Sequence, residues 1–210
     1  MVYVKWTFLA VIAALVASFL HYTLPQHDIV RITNTDVRRI DYGDNSIFWA
    51  RSTPGMQEGS ANRDVMFIES FTPDGDPNVY RNEDTGWGWP PYFKVNSSNL
   101  QALARDAVST RDAPQWMVVT HYGWRNEYLS IYPNAVKLRE VDSPEVTIIP
   151  WFNIVFLSVL ALIALWIWRI LARFKEDRIE PLIDEAGDFM ESVDDRAEGI
   201  FKRIFGGKRR

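Results

Sequence analysis

Residues 151–170 read WFNIVFLSVLALIALWIWRI. About twenty apolar residues at 1.5 Å each match the roughly 30 Å hydrocarbon core of a bilayer. Trp151 opens the run and Trp166 and Trp168 close it, aromatic rings of the kind that settle between lipid and water. Arg169, Arg173, Lys175 and Arg178 follow, whereas Glu140, Asp142 and Glu145 precede the run. Basic residues beside a span stay cytoplasmic, so the chain is expected to enter here from outside and to leave inside. Residues 151–172 are thus read as a second transmembrane helix, and residues 173–210 as a cytoplasmic tail.

Its counterpart lies at the N-terminus, where WTFLAVIAALVASFL (residues 6–20) continues to Leu24 behind a single lysine, Lys5. A signal peptide has such a charged start and apolar run, with a small-residue site here near residues 16–18. An uncleaved anchor is longer, and residues 6–24 are about one bilayer long. Phe19 and Leu20, directly after Ser18, favour the anchor. Either reading exports residues 25–150. Small residues at Ala10, Ala14 and Ser18, and at Ser158, Ala161 and Ala164, would let the two spans pack closely or are simply tolerated there.

The two spans leave room for one exported domain of about 125 residues, enough for a modest core. The net charge is −4, and the acids gather between the spans, which argues against a nucleic-acid partner. The chain has no cysteine, so the domain folds without disulfides, and thiol catalysis and cysteine-ligated metals are excluded.

Within the domain, residues 29–33 and 37–40 read as a strand pair turning at Asn34 and Thr35, and residues 46–50 as a further short strand. Residues 54–62 (PGMQEGSAN) read as a loop. VMFIESF (65–71) is a strong strand that turns back through PDGDP (73–77) into residues 79–81. A helix over 98–108, capped by Ser97 or Ser98, places Leu100, Leu103, Ala104 and Ala107 on one face. Strands follow at 116–122, 128–132 and 136–141, with turns at 123–126 and 133–134. The fold class expected is α+β: two transmembrane helices flanking a small mixed α/β extracytoplasmic domain, plus a cytoplasmic amphipathic helix.

RNEDTGWGWPPYFKVNSSNLQALA (from Arg81), HYGWR (121–125) and SIYPNAV (130–136), with Asn62, Arg63 and Asp64, resemble the bacterial family catalogued as domain of unknown function 1523. The resemblance spans residues 29–141 and both apolar segments, and the tail after Arg173 departs from it. It implies a bacterial inner-membrane protein; with the orientation expected from the flanking charges, both termini would be cytoplasmic and the central domain periplasmic. It brings no activity, no cofactor and no catalytic residues.

The stretch 81–94 is the least ordinary outside the spans. Gly86 and Gly88 alternate with Trp87 and Trp89, and Pro90 and Pro91 stiffen the exit into Tyr92. Trp87, Trp89 and Tyr92, with Arg81, form the candidate binding set for a ring-bearing ligand or a partner's pocket. The simpler reading has the indoles covering one edge of the core, with Arg81, Glu83 and Asp84 as a turn held by ion pairs. His121, near Arg125 and Glu127, has the chemistry of a general base, but no nucleophile sits at a recognisable spacing, and a structural histidine at a strand end is favoured. The histidines are His21, His27 and His121. His27 with Asp28 and Asp36 is a weak metal set, and the DGD turn does not complete a calcium loop. No catalytic residue, metal or cofactor is expected.

In the tail, Ile179, Ile183, Ala186, Met190, Val193, Ala197, Ile200 and Ile204 step alternately by four and three, the seam of a coiled coil. Phe189, Phe201 and Phe205 widen it into an amphipathic face, and acids give way to bases toward Arg209. Phe189, Met190, Phe201, Phe205 and Arg209 are the expected contacts to a partner or to lipid. The leading expectation is a non-enzymatic inner-membrane accessory or scaffold. Its partners would be the lipid bilayer and a membrane protein or a second copy of itself, not nucleic acid. The alternatives are a ligand-binding or sensor module using the Trp87/Trp89/Tyr92 loop and, behind it, an envelope hydrolase using His121 with Glu127 or Glu83.

Overall fold

The computed structural model describes residues 2–41, 62–86, 92–179 and 181. Along them run α1 (Val2–Thr23), β1 (Gln26–Asp41), β2 (Asn62–Phe71), β3 (Pro77–Asn82), α2 (Ser97–Asp106), β4 (Trp116–Tyr122), β5 (Asn134–Val141) and α3 (Trp151–Phe174). A π-helical turn, Lys175–Ile179, follows α3. The chain divides into two units, Met1–Asn153 and Ile154–Arg210.

β1 is one strand of 16 residues, not the expected strand pair turning at Asn34 and Thr35. Ile32 pairs with Ser70 and Asn34 with Glu69, which leaves Thr33 as the extra residue of a β-bulge. A bulge bends its strand and raises the local twist. The bent strand pairs with β4 over Gln26 to Arg31 and with β2 over Arg31 to Asp41. Polar residues that suit a turn serve here as a corner instead. The expected strand at 46–50 and residues 54–61 of the expected loop lie outside the described residues, and Asn62 opens β2.

β2 and β3 form an antiparallel hairpin through the expected PDGDP turn, where Gly75 takes a φ of 93°. β4 and β5 are also antiparallel, whereas β3 and β5 meet in parallel at Arg81 and Asn134. The order β1-β2-β3-β5-β4, closing on β1, makes a barrel. With the helix between β3 and β4, this is an OB-type barrel. Its parallel seam is short, and the Asn134 side chain lengthens it. Asn134 Oδ1 accepts the Glu83 N–H at 3.0 Å, and Nδ2 donates to the Glu83 carbonyl at 2.9 Å. A side-chain amide thus stands in for a peptide group of the ladder.

The barrel is filled by Val30, Ile32, Ile68, Tyr80, Met117, Val119, Ala135 and Leu138, and α2 adds Leu100, Ala104 and Ala107. Leu103, expected on the same stripe, is 55% exposed. Neither serine caps α2 with its own side chain. Asn96 holds the cap position without a side-chain capping bond, its Nδ2 donating to the Val136 carbonyl at 3.2 Å instead. The Asp84 carboxylate instead accepts the Ser97 N–H at 2.9 Å and the Ser97 hydroxyl at 2.7 Å, a negative charge at the positive end of the helix.

Residues 128–132 are not a strand. They belong to a tight turn closed by an Asn126–Ile131 bridge, with Ser130 at a φ of 51°. The expected turn at 133–134 is accordingly displaced, and Asn134 begins β5.

α1 and α3 are each long and apolar enough to cross a membrane. α3 contributes no buried side chain. α1 exposes its apolar residues from Tyr3 to Phe19 and then turns buried at Tyr22 and Leu24.

Candidate functional site

The two blocks RNEDTGWGWPPYFK and HYGWR, far apart in sequence, meet at the C-terminal end of α1. HYGWR comes first. The Gly123 N–H donates to the Tyr22 carbonyl at 3.0 Å. Gly123 has a φ of +86°, a left-handed conformation that favours glycine, and it packs against the Tyr22 ring. Trp124 lies edge-on to Tyr22, ring centres 5.3 Å apart, and its Nε1–H donates to His21 Nδ1 at 2.8 Å. Gln26 Nε2 ties the two segments together, reaching the His21 carbonyl at 3.0 Å and the Gly123 carbonyl at 3.4 Å.

The other block supplies the floor of this socket. The Tyr22 hydroxyl lies against the Arg81 guanidinium. Arg81, 2% exposed, donates from Nη1 to Glu83 Oε2 at 3.2 Å and from Nη2 to the Tyr92 hydroxyl at 3.2 Å. Tyr92 in turn stacks on Tyr122, with ring centres 4.5 Å apart and planes 12° apart. Burial works against the arginine's charge, but Tyr92, Glu83 and Tyr22 around it outweigh that and hold its proton more firmly than usual.

Behind the socket lies a second buried polar group. Asn82 Nδ2 donates to the Ser97 carbonyl and to Gln101 Oε1, both at 2.8 Å. Lys94 Nζ donates to Asn82 Oδ1 and stands 3.5 Å from Asn134 Oδ1. Burial dominates the lysine, and its pKa falls to about 7 despite the nearby Asp84 and Glu83 carboxylates. Lys94 also closes the base of the Gly-Trp loop: its carbonyl accepts the N–H groups of Thr85 at 3.0 Å and Gly86 at 3.2 Å. The Thr85 hydroxyl adds a 2.6 Å bond to the Tyr92 carbonyl.

Elsewhere, Asp28 Oδ2 accepts from the Tyr80 hydroxyl at 2.6 Å and Asn78 Nδ2 at 3.2 Å, and lies 3.0 Å from His121 Nε2. Burial would raise the Asp28 carboxyl, but His121, Tyr80 and Asn78 together hold it below its ordinary value. His121 is buried at the end of β4 with its ring against Tyr80. Its acidic neighbour is Asp28. Glu83 pairs with Arg81, and Glu127 with Arg125 at 3.5 Å. Among the described residues no group of three His, Cys, Asp or Glu side chains could hold a metal ion. A cleft of about 370 Å³ opens between the β2–β3 turn and the segment before β4, with Arg31, Arg111, Phe71 and Trp116 in its lining.

Of the expected binding set, the structure brings Arg81 and Tyr92 together. They are 2% and 7% exposed, buried rather than displayed. Trp87 and Trp89 lie outside the described residues, as do Phe189, Met190, Phe201, Phe205 and Arg209 of the tail. Sequence reasoning missed Tyr22, Asp28, Lys94 and Asn134 as parts of these networks. Only Lys94 left a trace, as a charge at the end of an aromatic run.

An OB-type barrel, bracketed in sequence by two helices apolar enough to cross a membrane and socketed onto the first, defines the class of protein. The chain belongs to the family described as a protein of unknown function, DUF1523, which it matches over residues 1–175. The match takes in both apolar helices and the barrel, and it stops close to Arg173, where the tail begins to depart from the resemblance. The chain is also 38% identical over 143 residues to an uncharacterized protein of Haemophilus influenzae, an alignment covering 67% of this chain and 77% of that one. No solved structure matches the chain.

Proposed function

We propose that the protein is a two-span component of the bacterial inner membrane, with its barrel in the periplasm and both termini in the cytoplasm. It acts without catalysis, as an accessory that braces a membrane-protein partner. The observation that carries this reading is the socket at Tyr22. A domain that only needed tethering could hang from a flexible linker, whereas here the last turn of α1 belongs to the barrel's own packing. Force or position at the helix is therefore shared by the barrel.

The barrel's binding loops support the same reading. OB-type barrels take oligonucleotides or oligosaccharides with the help of their β4–β5 loop. In this chain that loop is occupied by α1 through Gly123 and Trp124. The basic run Arg169, Arg173, Lys175 and Arg178 supports a cytoplasmic end for α3.

Reporter fusions after Val141 and after Lys208 test the layout: the first is expected to report the periplasm and the second the cytoplasm. A photo-crosslinking residue at Val95, exposed beside the loop base, tests the partner. A discrete adduct heavier than the chain is expected in living cells; uncrosslinked monomer alone would sink the accessory role.

A second reading rests on the bonds that tie Thr85 and Gly86 to Tyr92 and Lys94. In it, Trp87 and Trp89, between these tied residues in sequence, serve as the ligand-binding side chains. Tryptophan fluorescence titrated with sugars, peptides and lipid headgroups would respond to at least one class if this reading holds.

A further inference from the structure

Residues 123–133, the β4–β5 loop, carry more than the contact with α1. Beyond Trp124 the loop narrows into a braced finger. Asn126 and Ile131 exchange two backbone hydrogen bonds, 3.1 and 2.9 Å, and Arg125 Nη1 adds a third to the Ile131 carbonyl at 3.1 Å. At the tip, Asn126 Oδ1 accepts the Leu129 N–H at 3.0 Å and the Glu127 carbonyl accepts the Ser130 N–H at 3.1 Å. Ser130 adopts a φ of 51°, a left-handed conformation that a residue with a side chain rarely takes up. This strained and well-bonded tip holds Tyr128 entirely in the open, 100% exposed, and Leu129 46% exposed beside it. Neither residue serves the barrel's core.

The finger's root locates it. Trp124 is bonded to His21 in the last turn of α1. The 21-residue candidate span Tyr3–Thr23 is about as long as the hydrocarbon core is thick, so its last turn stands at the hydrocarbon boundary. Tyr128 is four positions on from Trp124, a reach of at most about 14 Å. The headgroup layer beyond the hydrocarbon is itself about 5–8 Å deep on each side. A phenol with an apolar ring and a polar tip, next to a leucine, is the side-chain chemistry that settles in that layer. Arg125 is engaged with the Ile131 carbonyl, lies over the Tyr132 ring at 4.5 Å and pairs at 3.5 Å with Glu127, the finger's exposed carboxylate, so Tyr128 and Leu129 supply the apolar part of the tip.

We infer that the β4–β5 finger seats Tyr128 and Leu129 in the headgroup layer of the bilayer that α1 crosses. The barrel then has a second point of membrane contact beside the helix, which fixes its tilt as well as its attachment. This inference rests on the membrane reading proposed above.

The absence of cysteine makes the test direct. Single variants Tyr128→Cys, Leu129→Cys, Leu15→Cys and Asp74→Cys of the full chain are spin-labelled and reconstituted into phosphatidylethanolamine–phosphatidylglycerol vesicles. Accessibility of each label to oxygen and to a water-soluble nickel chelate is then compared. Positions 128 and 129 are expected to show an oxygen-to-nickel ratio several-fold above that of Asp74→Cys, on the exposed β2–β3 turn, and below that of Leu15→Cys, within α1. Ratios at 128 and 129 equal to that at 74, with 15 still shielded from nickel, would overturn the finger's seating alone. Free nickel access at 15 would overturn the membrane reading and this inference with it.

Discussion

α1 and α3 are alike in sequence and differ in how they join the fold. Both are long, apolar helices whose side chains face outward for most of their length. α1 has Tyr22 buried in its last turn, and two residues, Leu24 and Pro25, both buried, carry the chain into β1. α3 has no buried side chain and follows a connection, residues 142–150, without helix or strand. In its first turn Asn153 Nδ2 donates to the Pro25 carbonyl at 2.9 Å. Apolar length sets whether a helix can span. The residues at its end decide whether the domain feels it.

The sharpest way to break this asymmetry is to remove the socket's charge. Arg81→Ala leaves the Glu83 carboxylate buried without its 3.2 Å partner. Losing one member of a buried ion pair costs about 3–5 kcal/mol, read as a fall in the thermal midpoint of the full chain in mild detergent. Tyr22→Ala, which deletes the ring between Arg81 and Trp124, is expected to cost about 3 kcal/mol. Asn153→Ala, its counterpart at α3, removes one hydrogen bond and is expected to cost about 1 kcal/mol. Equal losses at Tyr22 and Asn153 would erase the distinction between the helices.

Asn134→Ala probes the barrel seam on which the socket is built. It leaves a buried N–H and carbonyl of Glu83 unpaired and is expected to cost about 2–3 kcal/mol in the same assay. Retained stability would mean that β3 and β5 close the barrel without the side-chain amide.

The gentlest probe is pH. Lys94 has a folded pKa of about 7, depressed from its ordinary value of 10.5. Between these values the unfolded chain binds more protons than the folded one, so stability rises with pH. The gain from pH 7 to pH 8 is about 1 kcal/mol, and Lys94→Met is expected to flatten it. Tyr80 and Tyr122 carry the opposite sign, since burial raises both phenols above their usual 10. The unfolded chain loses those protons first, and stability is expected to turn downward above pH 10. Chemical denaturation across pH 6–11 reads both limbs.

How much of this was legible follows from the range of each interaction. β2 and β4 were readable because Val65, Phe67 and Ile68, or Met117, Val118 and Val119, make dense apolar runs. The stripe of Leu100, Ala104 and Ala107 announced α2 in the same local way. β1 was misread because Asn34 and Thr35 have turn chemistry, while the bulge at Thr33 exists only against its partner β2. Residues 128–132 were misread in reverse: Tyr, Leu and Ile look like a strand until the Asn126–Ile131 bridge folds them into a finger. The candidate site was half legible. Arg81 and Tyr92 stood out in their block, but their partners Tyr22 and Tyr122 lie 59 and 30 residues away in the chain.

By itself the sequence determined the two apolar helices, the domain between them, the absence of cysteine and the family. Apolar length, charge and composition are sums over neighbouring residues, and a linear reading captures them. Only the tertiary structure decided that the strands close into a barrel, that Asn134 completes the seam, and that α1 is seated in a socket. Each of these depends on groups brought together from distant parts of the chain, where burial sets the strength of a hydrogen bond or a charge. The socket is therefore a property of the fold, written in two blocks whose meeting no local pattern records.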